Sequence, residues 1–349
     1  MIEVKREGII LKPIPAAFEM RSVFNPGVWQ NGNSVEILYR AVADDYVSTI
    51  GYARLEGPMT LVERLDYPLY RPEEKYESQG LEDPRIVKID DSFLVTYVAH
   101  NGQDAISAYL YGDDLKNLKR GGLLSPEITY KEMPKIWRWT KLKDEYLMFQ
   151  AFYQNFNGKN VLLWHKDLVP FPEKINGQFT FLERILPDIQ LVSAESLDDF
   201  QDKYFWIRHL FHLDEQLVLE ADYDFEARNI GGGAPPLKTA DGWLMIYHGV
   251  EEKHDSRTYS AGVALLDLND PRKVIARLPY PLLKPETDYE VSGQVNNVVF
   301  PTGLSLFDDR LYIYYGGADN CIAVASLVLS ELLNELKKYP IANAYAQNK

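Results

Sequence analysis

Short apolar runs bounded by polar turns recur along the chain. Ser34–Tyr39, Phe93–Val98, Phe179–Leu182, Trp243–Tyr247 and Leu311–Tyr315 are dense in aromatic and β-branched residues. Each follows a turn signal: Asn31-Gly32-Asn33, Asp90-Asp91, Asn176-Gly177, Asp241-Gly242 and Asp308-Asp309. Runs this short, punctuated this way, predict strands, and a chain assembled from them predicts an all-β fold.

The five segments are copies of one unit. Each opens on a proline dipeptide: Asn25-Pro26, Asp83-Pro84, Phe171-Pro172, Pro235-Pro236 and Phe300-Pro301. In four copies a tyrosine (Tyr39, Tyr97, Tyr247, Tyr314) follows the proline by twelve or thirteen residues; the third copy lacks it. A supersecondary unit at a period of about 60 residues, made of strands alone, predicts propeller blades. The expectation is one five-bladed β-propeller domain over residues 1–349, with blades opening near 25, 83, 171, 235 and 300. The segment Glu7–Pro13 should supply a strand that closes the ring.

Three stretches depart from the strand pattern. Tyr130–Phe156 is rich in Lys, Glu, Trp and Phe without clean alternation, Gln201–Glu220 carries aromatic residues at roughly helical spacing, and both predict partly helical insertions over one face. Residues 326–339 place Leu327, Leu329, Leu332, Leu333 and Leu336 between charges, which predicts an amphipathic C-terminal helix.

Composition narrows the function. With 37 Lys+Arg against 51 Asp+Glu, the formal net charge is −14. Such a chain has no field to hold a polyanion, so nucleic acid and anionic membranes are not expected partners. Cys321 is the sole cysteine, so no disulfide framework forms. The opening residues lack a signal peptide's apolar core, and a cytoplasmic location is expected. The six histidines show no metal-ligand spacing, and no metal or organic cofactor is expected.

In a propeller the first strand of each blade lines a central channel. Residues near the proline dipeptides should therefore converge: Asn25 and Arg40; Glu82, Asp83 and Arg85; Lys166, Asp167, Glu173 and Arg184; Glu226, Arg228, Asn229, Lys238 and His248; Asn296, Asn297 and Asp319. Carboxylates, amides and cations ringed by tyrosines suit a ligand with many hydroxyl groups better than an apolar one.

At these motifs the sequence resembles glycoside hydrolase family 130, five-bladed propeller enzymes acting on β-mannosides. The matching segments are Asn25-Pro26 with Tyr39-Arg40, Gly80-Leu81-Glu82-Asp83-Pro84-Arg85, His165-Lys166-Asp167 with Phe171-Pro172-Glu173-Lys174-Ile175-Asn176-Gly177, Gly231-Gly232-Gly233-Ala234-Pro235-Pro236 with Tyr247-His248-Gly249, and Tyr315-Gly316-Gly317-Ala318-Asp319. They span about residues 8 to 330 in the family's order. The resemblance implies an inverting reaction with Asp83 as general acid, passing its proton through a hydroxyl of the bound mannose. It implies that Asn25, Arg40 and Asp319 hold the mannose, with Arg85 beside them in the substrate-binding set.

The family contains phosphorylases and hydrolases. A phosphorylase needs a cationic cradle for phosphate, its co-substrate; the resemblance puts that cradle on Lys166, Arg184 and His248. The family's lysine before the triple glycine falls on Asn229, a departure from its pattern. A hydrolase needs a carboxylate base for water, and Glu183 and Glu226 are the candidates. A cationic cluster has little use in activating water, which favours phosphorolysis of β-linked mannosides to α-mannose 1-phosphate and a shortened acceptor. The alternatives are an inverting β-mannosidase and a non-catalytic sugar-binding propeller. The expected partner is a small oligosaccharide; an assembly of like subunits is compatible with the chain.

Overall fold

The structure, a computed structural model, describes residues 2–254 and 256–341. Strand dominates, and the strands form five antiparallel units of four. The first contains Ser22–Asn31, Ser34–Val42, Ser48–Glu56 and Thr60–Arg64; the second Gly80–Ile89, Ser92–His100, Ala105–Gly112 and Lys119–Leu123. One parallel bridge, Ser48 to Gly80, joins these two into a single sheet. The third contains Lys166–Pro170, Phe179–Ile185, Asp188–Ala194 and Leu217–Leu219. In the fourth the first strand is broken into Asn229–Gly232 and Leu237–Thr239, both paired with Gly242–Lys253, which continues to Ser256–Leu266 and Val274–Arg277. The fifth contains Val299–Phe307, Arg310–Gly317 and Cys321–Val328, and takes its fourth strand, Lys5–Leu11, from the other end of the chain.

The proline dipeptides mark something other than strand openings. In the first three units the pairing of the first strand slips by one residue, between Phe24 and Gly27, Glu82 and Arg85, and Lys166 and Val169. Asn25, Asp83 and Asp167 sit in these bulges with φ of 48°, 51° and 56°. Asn and Asp are the side-chain-bearing residues that best tolerate this left-handed region. A bulge bends the strand and re-aims a side chain. The counterpart of Asn25 and Asp83 in the third unit is therefore Asp167, not the Phe171-Pro172 dipeptide, which lies at the strand's far end. Opposite each bulge stand Tyr39, Tyr97 and, in the third unit, Glu183. That is why the third copy lacks its tyrosine.

The tyrosines belong to a repeated buried trio. Tyr39 donates to Glu19 at 2.8 Å, and Arg64 pairs with the same carboxylate at 2.9 Å. Tyr97 and Arg120 do the same for Glu77, Tyr247 and Arg277 for Glu226, and Tyr315 and Arg6 for Glu290. All four glutamates are fully buried. Arg64, Arg120 and Arg277 lie on their units' fourth strands, and Arg6 takes that place from the chain's start. In the fifth unit the repeat is carried by Tyr315 rather than Tyr314, whose hydroxyl meets Ser305 and the Pro58 carbonyl.

The two insertions are helical in part, through Met133–Trp137, Asp144–Asn157 and Lys203–Phe211. They pack on the third unit in one apolar cluster that includes Trp137, Tyr146, Phe181, Phe200, Trp206 and Leu210. The C-terminal helix is shorter than expected, Leu329–Leu336, because Ser326–Val328 continue the preceding strand and bury Leu327. No described helix is long and apolar enough to cross a membrane.

Candidate active site

The bulged first strands meet one another. Asn25 donates to Asp83 Oδ1 at 2.8 Å, joining the first two units. Arg85 lies 3.8 Å from Asp167, and Thr96 donates to the Leu168 carbonyl, joining second and third. A Cβ on Gly231 would meet the His248 ring at 2.5 Å and Asp167 Oδ2 at 2.8 Å, so only glycine admits this approach of third and fourth. A Cβ on Gly233 would likewise come within 2.6 Å of the Pro301 carbonyl, and Thr302 donates to the Pro26 carbonyl, returning from the fifth unit to the first.

Two carboxylates organise the charges where these strands meet. Glu82 accepts from Arg40 at 2.7 Å and from Lys166 at 3.0 Å. Burial alone would push Glu82 up, but Arg40 and Lys166 hold it down at about 2. Asp167 pairs with Arg184 at 2.8 Å and lies 3.9 Å from His248 Nε2. Burial opposes its ionised form, and Arg184, His248 and Arg85 outweigh that and keep it low. Arg40 also stands 3.6 Å from Asp83 Oδ1. Burial and the neighbouring carboxylates Asp83 and Glu82 push Asp319 up to about 7, against the pull of Arg40.

The remaining candidates fall as follows. Arg85 is fully buried and braces the backbone, donating to the carbonyls of Gly233 at 2.5 Å and Asp83 at 2.8 Å. His248 is buried against Phe300, and burial brings it down to about 4, so it stands neutral near pH 7 rather than adding a charge. Asn229 is buried, accepts from Arg228, and lies on the same strand face as Gly231. Glu183 is held between His165, at 2.8 Å, and His209; burial opposes its charge, but the two imidazoles hold it down at about 2. It neighbours Arg184 on the strand and so points to the opposite face. Glu226 has its oxygens taken by Tyr247, Arg277 and two backbone N–H groups. Lys238 and Glu173 pair with each other at the surface.

Several buried atoms here, among them Asn25 Oδ1, Arg85 Nη2, Arg184 Nε and both ring nitrogens of His248, have no hydrogen-bond partner among the described residues. Beside Lys166 stands an aromatic wall: the Trp164 ring is 5.6 Å from its Nζ, and Tyr153 packs on Trp164 at 5.1 Å. Two hollows, of about 610 and 780 Å³, lie elsewhere, along Leu217–Asp222 and beside Thr180, Phe205 and Arg272. Neither is lined by Asp83, Lys166 or Arg184; side-chain chemistry locates the site where hollow size does not. No described group of three or more His, Cys, Asp or Glu is placed to hold a metal ion.

Strand units joined at charged bulges, with carboxylates of one unit meeting cations of the next, make a site suited to a polar ligand. The sequence matches the family model for β-1,4-mannooligosaccharide phosphorylase over residues 12–338. The chain belongs to glycoside hydrolase family 130. It is 32% identical to a 1,2-β-oligomannan phosphorylase of Thermoanaerobacter sp. (strain X514), over 95% of this chain and 99% of that one. It is 34% identical to a β-1,2-mannobiose phosphorylase of the same organism, over 90% and 93%. Its fold is that of β-1,2-mannobiose phosphorylase from Listeria innocua, with a TM-score of 0.72 at 24% identity over 97% of this chain and 100% of that one. A TM-score of 0.70 at 22% identity, over 93% of each chain, relates it to a structure from work describing hydrolases of this family that target β-1,2 mannosidic linkages in Candida mannan.

Proposed function

We propose that the enzyme is an inverting phosphorylase of β-linked mannosides and that its five strand units are the blades of a propeller around the charged cluster. Phosphate oxygen bonds to the anomeric carbon as the glycosidic C–O bond breaks on the opposite face. The leaving oxygen takes a proton that originates on Asp83 and reaches it through a mannose hydroxyl. The products are α-mannose 1-phosphate and the shortened acceptor. Asn25, Arg40, Arg85 and Asp319 make up the mannose side. Lys166, Arg184, neutral His248 and Asn229 make up the phosphate side, His248 as a hydrogen-bond donor.

One observation carries this reading: Lys166 and Arg184 are directly paired across adjacent strands. Glu82 and Asp167 each hold one of these cations in place, and the two cations together present charge-assisted donors to an anion bound between them. The hydrolytic alternative needs a carboxylate ready to take a proton from water. Glu183, held low between two histidines, and Glu226, tied to Tyr247 and Arg277, are both otherwise engaged. Incubation with β-1,2- and β-1,4-mannobiose plus phosphate, followed by phosphorus NMR, tests the proposal. A new α-mannose 1-phosphate signal is expected from at least one of them; free mannose in twofold yield, with no sugar phosphate, would overturn it.

A further inference from the structure

The helix Asp144–Asn157 carries large apolar side chains on its exposed face as well as its buried one, with Asn155 among the exposed residues. Its inner face buries Tyr146 and Gln150, and Tyr153 packs on Trp164. Its outer face presents Leu147, Met148, Phe152 and Phe156 to water, at 46, 68, 49 and 75% exposure, with Ala151 among them. Phe152 and Phe156 are stacked on that face with ring centres 6.0 Å apart. Large apolar side chains clustered on the exposed face of a helix mark an interaction surface.

The charges at the ends of this stripe select its occupant. Asp144 and Glu145 are exposed at the helix start, and Lys159 is exposed just beyond its end. None of the three has an ion-pair partner among the described residues. We infer that this face pairs with the same face of a second copy of this chain, the two helices antiparallel about a twofold axis passing beside Ala151 and Phe152. In that arrangement Asp144 and Glu145 of each copy meet Lys159 of the other, and the small Ala151 lets the helices approach at the axis. An isologous contact requires self-complementarity of this kind. The opposed helix dipoles add to it.

Sedimentation equilibrium over nanomolar to high micromolar concentrations tests this on the whole protein. Wild type should be a dimer, and Phe152→Asp should raise its dissociation constant by about 30-fold or more, as loss of a central aromatic anchor does. Lys159→Glu should also weaken the dimer, and so should the double change Asp144→Lys with Glu145→Lys. All three changes in one chain should restore it, an outcome that general misfolding cannot produce. A wild type that stays monomeric throughout, a dimer indifferent to Phe152→Asp, or charge reversals that fail to compensate would each overturn the proposal.

Discussion

Lys166 and Arg184 stand at one register position on neighbouring antiparallel strands, two cations face to face. Each is secured by its own carboxylate, Glu82 for Lys166 and Asp167 for Arg184. The strand pair thus holds two positive charges together at the cost of two buried negative ones. Removing Arg184 should act on phosphate more than on sugar. A charge-assisted hydrogen bond contributes about 1.5–3 kcal/mol, so Arg184→Ala should raise the KM for phosphate by roughly one to two decades. Steady-state kinetics with each substrate varied in turn checks it; an equal rise in the KM for mannoside would detach Arg184 from phosphate.

Asp83 occupies a strained backbone position between Asn25 and Arg40. Asp83→Asn keeps an oxygen for the Asn25 amide but carries no proton to deliver. It should lower kcat by about 10²-fold or more with little change in Tm. Unimpaired turnover in a folded Asp83→Asn protein would show that Asp83 serves the turn and not the chemistry.

Burial and the carboxylates Asp83 and Glu82 push Asp319 up to about 7 from its ordinary 3.8. The native state therefore holds a proton that the unfolded chain gives up at lower pH. Its stabilising contribution is complete below about 3.8 and is lost as pH rises through about 7. Asp319→Asn removes that loss, and should stabilise the protein above pH 7 by on the order of 1–2 kcal/mol after allowance for solvent screening. Thermal melts of both proteins from pH 4 to 8 should diverge as pH rises; parallel curves would contradict the raised titration.

Glu226 is the fourth unit's version of a structural trio that Glu19, Glu77 and Glu290 repeat elsewhere. Truncating its cationic partner leaves a buried charge alone, so Arg277→Ala should cost about 3–5 kcal/mol of stability. Glu226→Gln should likewise lower Tm. The folded fraction of Glu226→Gln should keep its dependence on phosphate, which parallel melting and kinetic measurements would show. A stable Glu226→Gln protein that had lost turnover would make Glu226 a base after all.

The strand pattern was legible because alternation, polar turns and proline dipeptides are local signals. All five second strands could be read directly, as could Tyr39, Tyr97 and Tyr247, whereas in the fifth unit the count from the proline falls on Tyr314 instead of Tyr315; Asn25, Asp83 and Lys166 stood out as polar residues within the recurring motifs. The bulge register was not legible. Whether Asp167 or Phe171-Pro172 matches Asn25-Pro26 depends on a one-residue slip in cross-strand pairing, and the longer third hairpin hides it. Glu82 and Asp167 were visible as charges, but their place as hubs depends on Lys166, Arg184 and Arg40 arriving from other strands. The buried trios eluded the sequence for the same reason: Arg6 and Glu290 lie at opposite ends of the chain and meet only when Lys5–Leu11 joins the fifth unit. The neutral state of His248 is a consequence of burial, which spacing does not report.

The most direct test of the account is the initial rate of β-mannobiose cleavage by the wild-type enzyme as phosphate is varied from none to saturation. A rate near zero without phosphate, rising hyperbolically with it and matched mole for mole by sugar phosphate, is the predicted result. A full rate in the absence of phosphate, with free mannose as the product, would contradict the role given to Lys166 and Arg184.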